Sequence, residues 1–399
     1  MRIALVAPGG FDRSGTQRIL PVFLWMAERL ARSHQVHVFT LRHDTEPCAY
    51  RLRGAWVHAV GFRPGERGPG VLLRALRLIR QVGGGPGFDA VHGLWAGEPG
   101  LCAGLAGRLL RAPSVLTLAG GELAALPEIG YGGALRWTSR AAVRASLRMA
   151  TAATAASEPL VRQAAQLRAD VRLIPLGVDI RLFRPGSPPQ GPPWHLIQVA
   201  SLNRVKDQPT LLRAVALALA REPGIRLHCV GMDTLGGEIQ RLAAGLGLAD
   251  RAVFHGFQPT ERVAALLADA HLYIQSSLHE SGGIAVREAA ACAVPVLGTS
   301  VGHLAEMAPR AAVGVPPGDP AALADAIVDL LRDEDARRGL AARGRNWAAR
   351  HDADWTAAAF AALYADLRRS AREGVSRAHG PHSSSMTERR RPEQGEAAP

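Results

Sequence analysis

Short apolar runs alternate with longer segments of helical periodicity from the first residues onward. The runs at 3–7, 36–40, 56–60, 90–93, 114–118, 151–155 and 172–174 are rich in Val, Ile, Leu and Ala. Continuous apolar runs of this length read as strands covered on both faces. Helical segments fill the gaps, including 16–33 and 98–110. Strands alternating with helices predict a parallel sheet with helices on both faces. The sequence RPGSPPQGPP at 184–193 breaks the pattern, as Pro- and Gly-rich stretches do. The same alternation restarts at Trp194. The expected organisation is α/β, with one Rossmann-like doubly wound domain over 1–184, a linker over 185–193 and a second such domain over 194–350. Thr260 and Asp319 read as helix N-caps, the latter followed by Pro320. From 371 to 399 the chain is Arg, Ser, Gly, Pro and Glu with almost nothing apolar, and a disordered tail is expected there.

Composition fits this picture. Of 399 residues, 47% are hydrophobic and 21% charged, enough apolar content for a large core. No apolar run approaches the length of a membrane span. The opening run MRIALVAPGG is too short for a signal segment and reads as the first strand. Cys48, Cys102, Cys229 and Cys292 show no C-x-x-C spacing, and the last three lie in apolar runs as small core residues. A reducing, cytoplasmic setting is expected. The histidines show no metal-ligand spacing. The Asp-x-Asp at Asp352 and Asp354 falls between two late helices, far from any nucleotide loop, and reads as an N-cap. No metal is expected.

The formal net charge of +12 raises nucleic acid as a partner, but no nucleic-acid motif or aromatic-basic interleaving occurs. An anionic membrane surface fits better. Arg74, Arg77 and Arg80 share one face of 71–82. Arg136, Arg140, Arg144 and Arg148 share one face of 134–150, with Trp137 beside them. Basic amphipathic helices with an aromatic residue lie on acidic lipid, and the same pattern also fits a solvated helix face. A peripheral position on the inner face of a membrane is the expectation.

The chemistry concentrates in SSLHESGGIAVREAAACAVPVLGTSVGHLAEM at 276–307. Glu280 and Glu288 form an E-x7-E pair, and Ser281, Gly282 and Gly283 follow the first of them. An apolar run precedes the loop and a helix-like run begins at Ile284, so the glycines sit at a helix N-terminus after a strand. Glycine lets a ligand approach the backbone, and free N–H groups there suit a phosphate. Glu280 can accept hydrogen bonds from sugar hydroxyls, and Glu288 can hold a ribose diol. Lys206 is the single lysine among 47 basic residues. It follows the apolar run 196–200, and a compact ammonium suits the crowded oxygens of a diphosphate. Gly10 and Gly15 lie in a loop after the first strand. No G-x-G-x-x-G occurs, which argues against a nicotinamide or flavin enzyme.

HESGGIAVREAAACAVPV, ASLNRVKDQPTLL, the VGM around Gly231, HGFQP and VGVPPGDPAALADAI together resemble the donor half of the family-4 retaining glycosyltransferases. The resemblance covers about 1–370. It implies the GT-B architecture, two Rossmann-like domains facing across a cleft, with a last helix at 351–370 crossing back to the first domain. It implies a nucleoside diphosphate sugar as co-substrate, no separate cofactor, and a glycan or lipid-linked acceptor on the first domain. By match, Glu280 contacts the donor sugar, Glu288 the ribose and Lys206 the diphosphate. Gly256 and Phe257 flank the base, while Gly10 and Gly15 face donor phosphate and acceptor. Three positions depart from the family pattern. Ala119 stands where many members have a sugar-contacting His, leaving Gly120, Gly121 and Glu122, with His92 on the neighbouring strand, as candidates for the sugar or acceptor side. Ser201 replaces a usual arginine, a charge Arg204 can supply. The loop Ser281-Gly282-Gly283 lacks a common Phe. A catalytically degenerate GT-B nucleotide-sugar-binding protein and a GT-B sugar-nucleotide epimerase are the alternatives.

Overall fold

Ile3, Ala4, Leu5, Val6 and Ala7 are all buried, as a strand covered on both faces requires. The computed structural model describes residues 1–66, 69–187 and 190–378. This first strand, β1 (Arg2–Ala7), lies inside a sheet with β2 (Gln35–Thr40), β3 (Cys48–Leu52), β4 (Ala55–Ala59), β5 (Ala90–Leu94), β6 (Ser114–Leu118), β7 (Ala152–Ala155) and β8 (Arg172–Leu173). The order is β3-β4-β2-β1-β5-β6-β7-β8. All pairs are parallel except β3 with β4. A second, wholly parallel sheet holds β9 (Trp194–Val199), β10 (Ile225–Val230), β11 (Ala252–Gly256), β12 (Leu272–Gln275), β13 (Val296–Thr299) and β14 (Val313–Val315), in the order β11-β10-β9-β12-β13-β14. This is the expected pair of doubly wound sheets. The strand order reverses between β1 and β5 and again between β9 and β12, and ligands of such sheets bind at the carboxyl ends beside that reversal.

Several local expectations change. β3 alternates half-buried and exposed residues up to the buried Leu52 at the sheet edge and has no continuous apolar run to mark it. The helix expected over 16–33 spans Pro21–Ala31, with Pro21 in its first turn, where proline's fixed φ is favourable. Thr260 is the first helical residue after Pro259 rather than a cap. Asp319 caps as expected, accepting from the amides of Ala321 and Ala322 at 3.1 and 2.9 Å. Asp352 accepts from the Trp355 amide at 2.8 Å. The last helix runs over Ala353–Ala378, past the start of the expected tail at 371. Arg368 on it pairs with Asp89 at 2.8 Å. Residues 379–399, the rest of that tail, lie outside the described residues, as do 188 and 189 of the linker.

The chain passes between the sheets after β8 and returns at the start of the last helix, and the two passages lie side by side. The Ala353 amide donates to the Val178 carbonyl at 3.0 Å. Thr356 Oγ1 donates to the Pro175 carbonyl at 2.7 Å and accepts from the Gly177 amide at 2.9 Å. A Cβ on Gly177 would stand 2.1 Å from the carbonyl carbon of Asp352, so only glycine allows this approach. Arg29, buried on the helix Pro21–Ala31, binds Asp179 of one passage at 2.7 Å and Asp354 of the other at 3.1 Å.

Beyond the second passage the last helix enters the first domain's core with Phe360 and Tyr364, both fully buried. His92 meets them there. Its Nδ1 is hydrogen-bonded to Tyr364 Oη and its Nε2 to Thr117 Oγ1, each at 2.6 Å. Burial lowers the His92 pKa to about 3, so the ring is neutral. Tyr364→Phe keeps the packing but leaves Nδ1 without a partner. We expect it to cost about 1–3 kcal/mol, read as a lower midpoint in urea unfolding with an unchanged slope.

Candidate active site

Lys206 and Glu280 meet at the strand-order reversal of the second sheet. Lys206 ends a short turn, Arg204–Lys206, beyond β9, and Asn203 caps that turn by accepting from the Lys206 amide. Glu280 lies in the loop after β12. The loops are laced together: the Leu278 amide donates to the Val205 carbonyl at 2.8 Å, and Ser276 Oγ donates to the Lys206 carbonyl at 2.7 Å. Lys206 Nζ then reaches Glu280 Oε1 at 2.5 Å, an oxygen that also accepts from Ser277 Oγ at 2.7 Å. The two residues expected to share a donor site are thus brought together as an ion pair.

A buried polar network supports this pair, and sequence reasoning missed it. Gln208 Nε2 donates to Gln198 Oε1 at 3.1 Å, and Gln198 Nε2 to Ser276 Oγ at 2.9 Å. Gln275 donates to the Thr299 and Val301 carbonyls, both at 3.3 Å. Glutamine inside an otherwise apolar strand, as at Gln198 and Gln275, was the available signal, because buried amides need dedicated partners.

Gly283 caps the helix Ile284–Ala291 with φ +86°, a left-handed conformation that favours glycine. A helix N-terminus of this kind leaves backbone N–H groups that suit an anion. Glu288, one turn inside, is buried. Burial pushes its pKa up to about 7. Of the remaining donor-side candidates, Arg204 is exposed, as is Phe257 beside Gly256. Gly231 follows β10 directly, and a Cβ there would stand 2.1 Å from the Ala200 carbonyl oxygen. Among the described residues no group of His, Cys, Asp or Glu is arranged to hold a metal ion.

The first-domain candidates divide. Glu122 is buried and turned to backbone, accepting from the amides of Gly120 at 2.7 Å and of Ala119 and Ala96 at 3.3 Å. Burial raises its pKa and these amides partly offset the rise. It shapes the Gly120 and Gly121 loop instead of presenting a free carboxylate in place of the missing His. His92 likewise does not face the cleft, being enclosed beneath the last helix. Gly10 and Gly15 lie in the loop after β1, where the Gly10 carbonyl accepts from the Leu20 amide at 2.9 Å. Ser281 joins the two sides directly: its hydroxyl donates to the Gly120 carbonyl, and its own carbonyl accepts from Ser157 Oγ. Tyr131 and His279, which sequence reasoning did not single out, add a ring contact across the same seam at 6.1 Å between centroids.

The chain is similar to known proteins. A family model described as "Glycosyl transferases group 1" matches residues 179–347, and one described as "Glycosyl transferase 4-like domain" matches 19–177. D-inositol 3-phosphate glycosyltransferase of Corynebacterium jeikeium is 31% identical over 217 residues, covering 49% of this chain and 52% of that protein. The chain therefore spans about half the length of this curated relative. Sucrose-phosphate synthase from Thermosynechococcus elongatus superposes with a TM-score of 0.75 at 24% identity, covering 93% of this chain and 100% of that one. Anabaena Alr3699/HepE, in complex with UDP and glucose, superposes with a TM-score of 0.69 at 18% identity, covering 94% and 100%. These solved structures share the fold.

The raised pKa of Glu288 has a measurable consequence. The folded state keeps a proton that the unfolded chain releases near 4.5, so stability is full below that pH and is lost as pH rises through about 7. The loss amounts to about 3 kcal/mol. Glu288→Gln carries no charge. It should gain stability over wild type at about pH 8, with the difference shrinking toward about pH 5. Chemical unfolding of both proteins across that range checks it. A difference independent of pH would show that Glu288 does not titrate this way.

Proposed function

Because the chain belongs to the group 1 glycosyl transferases, we propose that it transfers a sugar from a nucleoside diphosphate sugar to a hydroxyl acceptor, with retention and without a metal. The observation that carries this reading is the Lys206–Glu280 pair at the strand-order reversal, 2.5 Å apart and next to the Gly283 helix N-terminus.

An arriving donor replaces each partner's counterion. The diphosphate supplies anionic oxygens to the Lys206 ammonium, with Arg204 on the same turn adding charge. Sugar hydroxyls donate to the Glu280 carboxylate. The amides at Gly283 and Ile284 bind the same phosphates. A ribose diol donating to Glu288 favours its charged form and opposes the effect of burial. The bond from the anomeric carbon to the phosphate oxygen breaks, and the acceptor oxygen bonds to that carbon on the same face. The acceptor proton passes to the departing phosphate oxygen. Preformed charge that stabilises the leaving diphosphate supplies the rate enhancement, and closure of the domains excludes water. One observation favours a second reading, a degenerate nucleotide-sugar-binding protein: Ala119 offers no sugar contact, and Glu122 is committed to backbone amides.

The acceptor we propose is a glycan or lipid-linked molecule presented at the inner face of an anionic membrane. Trp137 is 73% exposed at the start of the helix Trp137–Met149. Arg136, Arg140, Arg144 and Arg148 are exposed beside it. On the other basic helix, Gly70–Gly83, Arg74 is already paired with Glu66 at 2.7 Å, so the Trp137 face is the stronger candidate. No helix among the described residues is long and apolar enough to cross a membrane.

Thermal unfolding with UDP-, GDP-, ADP- and TDP-sugars tests the donor. The correct one should stabilise the protein by about 2.7 kcal/mol at a hundredfold excess over its dissociation constant, and Lys206→Ala should abolish the shift. Binding without turnover against any acceptor would favour the degenerate reading. For the membrane, the protein should sediment with phosphatidylglycerol vesicles but not with phosphatidylcholine vesicles, and Trp137→Ala should weaken that binding. Equal binding to both lipids would remove the proposal.

A further inference from the structure

The helix that carries Glu288 also carries an arginine at an interior position. Arg287 is 1% exposed, and an arginine that deep must have every charge-bearing contact satisfied. Its guanidinium lies over the Trp347 ring, 4.2 Å from the centroid. One terminal nitrogen donates to the His351 carbonyl at 3.2 Å, at the start of the second passage between the sheets. Its Nε lies 3.1 Å from His303 Nε2. Because arginine is always a donor, Nε2 is the acceptor and the ring proton sits on Nδ1. His303 Nδ1 therefore donates to Glu306 Oε2, at 3.1 Å. Glu306 Oε1 in turn accepts from the Glu158 amide at 2.6 Å, the first residue of the first domain's helix Glu158–Ala165.

This chain of contacts runs from the passage between the sheets, through the second domain, to the first. On the way it grips the loop of Glu280. The His303 amide donates to the Gly282 carbonyl at 2.6 Å, and a Cβ on Gly282 would stand 3.1 Å from His303 Nε2. The far end is fixed twice over. Ser157, the cap of the helix Glu158–Ala165, donates to the Ser281 carbonyl, one residue before Gly282. Moving that helix away thus removes the donor to the Ser281 carbonyl and the donor to Glu306 in one event. The proton pattern along the chain converges on Glu306: Arg287 donates to His303, His303 to Glu306, and the Glu158 amide to Glu306 from the other side.

We propose that Arg287, His303 and Glu306 are positioning residues, a buried chain that sets the Gly282 and Gly283 backbone according to whether the first domain's helix Glu158–Ala165 is docked. The proposal rests on reading residues 280–283 as the donor loop. Docking then orders the amides that receive the diphosphate, and separation of the domains loosens them. Donor affinity and domain approach become two readings of one equilibrium.

Each link can be cut separately in the full chain. Glu158→Pro removes the donating N–H, together with an exposed ion pair to Arg162 at 3.6 Å, at a first helical position where proline is tolerated. Glu306→Gln can accept from Glu158 or from His303 but not from both. His303→Asn keeps donation to Glu306 and loses the acceptor for Arg287, whereas His303→Gln keeps that acceptor and loses Glu306. Amide hydrogen exchange of the nucleotide-free protein is the first readout, with UDP affinity as the second. We expect roughly tenfold faster exchange over 282–286 in all four variants, with β1 and β9 amides unchanged, and weaker UDP binding in Glu158→Pro. Faster exchange confined to the helix Glu158–Ala165 in Glu158→Pro would overturn the coupling. A loosened loop that binds UDP as well as wild type would overturn the positioning role. A wild type that binds none of UDP, GDP, ADP or TDP would fail the donor reading instead, and the exchange result would still decide the coupling.

Discussion

Gly177 lies where any side chain would run into the carbonyl of Asp352, and the geometry of the molecule depends on that close approach. The chain passes between its sheets twice. Because the passages touch and share the hydrogen bonds of Thr356 and Ala353, they act as one joint instead of two tethers. Arg29 locks the joint to the first domain through Asp179 and Asp354. Burying a guanidinium is costly, and the two paired carboxylates offset that cost for Arg29. The joint determines where the loops after β9 and β12 stand relative to those after β5 and β6. The seam between Ser281 and Gly120, and between His279 and Tyr131, follows from it.

The buried strands were legible because strands covered on both faces leave continuous apolar runs, and the reversal of strand order followed from their alternation with helices. β3 was not, since an edge strand such as Cys48–Leu52 shows half its residues to solvent. The end of the last helix was hidden because the polar composition from 371 onward resembles a tail, although the helix runs on to Ala378. At the candidate site, residue type and spacing pointed to Lys206, Glu280 and Gly283, which the structure brings together. Glu122 and His92 were named for the right neighbourhood, but their side chains turn to backbone amides and to Tyr364, a choice made by partners distant in sequence. Arg287 and His303 gave no local signal at all, because each looks like a surface residue until its partner is known.

A common cost runs through the second domain. Glu288 is held where its charge is disfavoured, Arg287 is enclosed, and Gln198, Gln208 and Gln275 fill positions that apolar residues would occupy more cheaply. Such groups do not favour folding. They hold polar atoms ready at the carboxyl ends of β9 and β12, and they persist where a site needs orientation more than the fold needs stability.

Lys206 is the chain's sole lysine, which gives the molecule an unusual chemical simplicity. An amine-selective reagent meets only this side chain and the terminal amine. Nζ is held by Glu280, with the side chain 23% exposed, so its acylation follows how often the ion pair opens. A ligand that takes the ammonium for itself would shield it. One residue therefore makes the occupancy of the cleft readable by mass, without any introduced label.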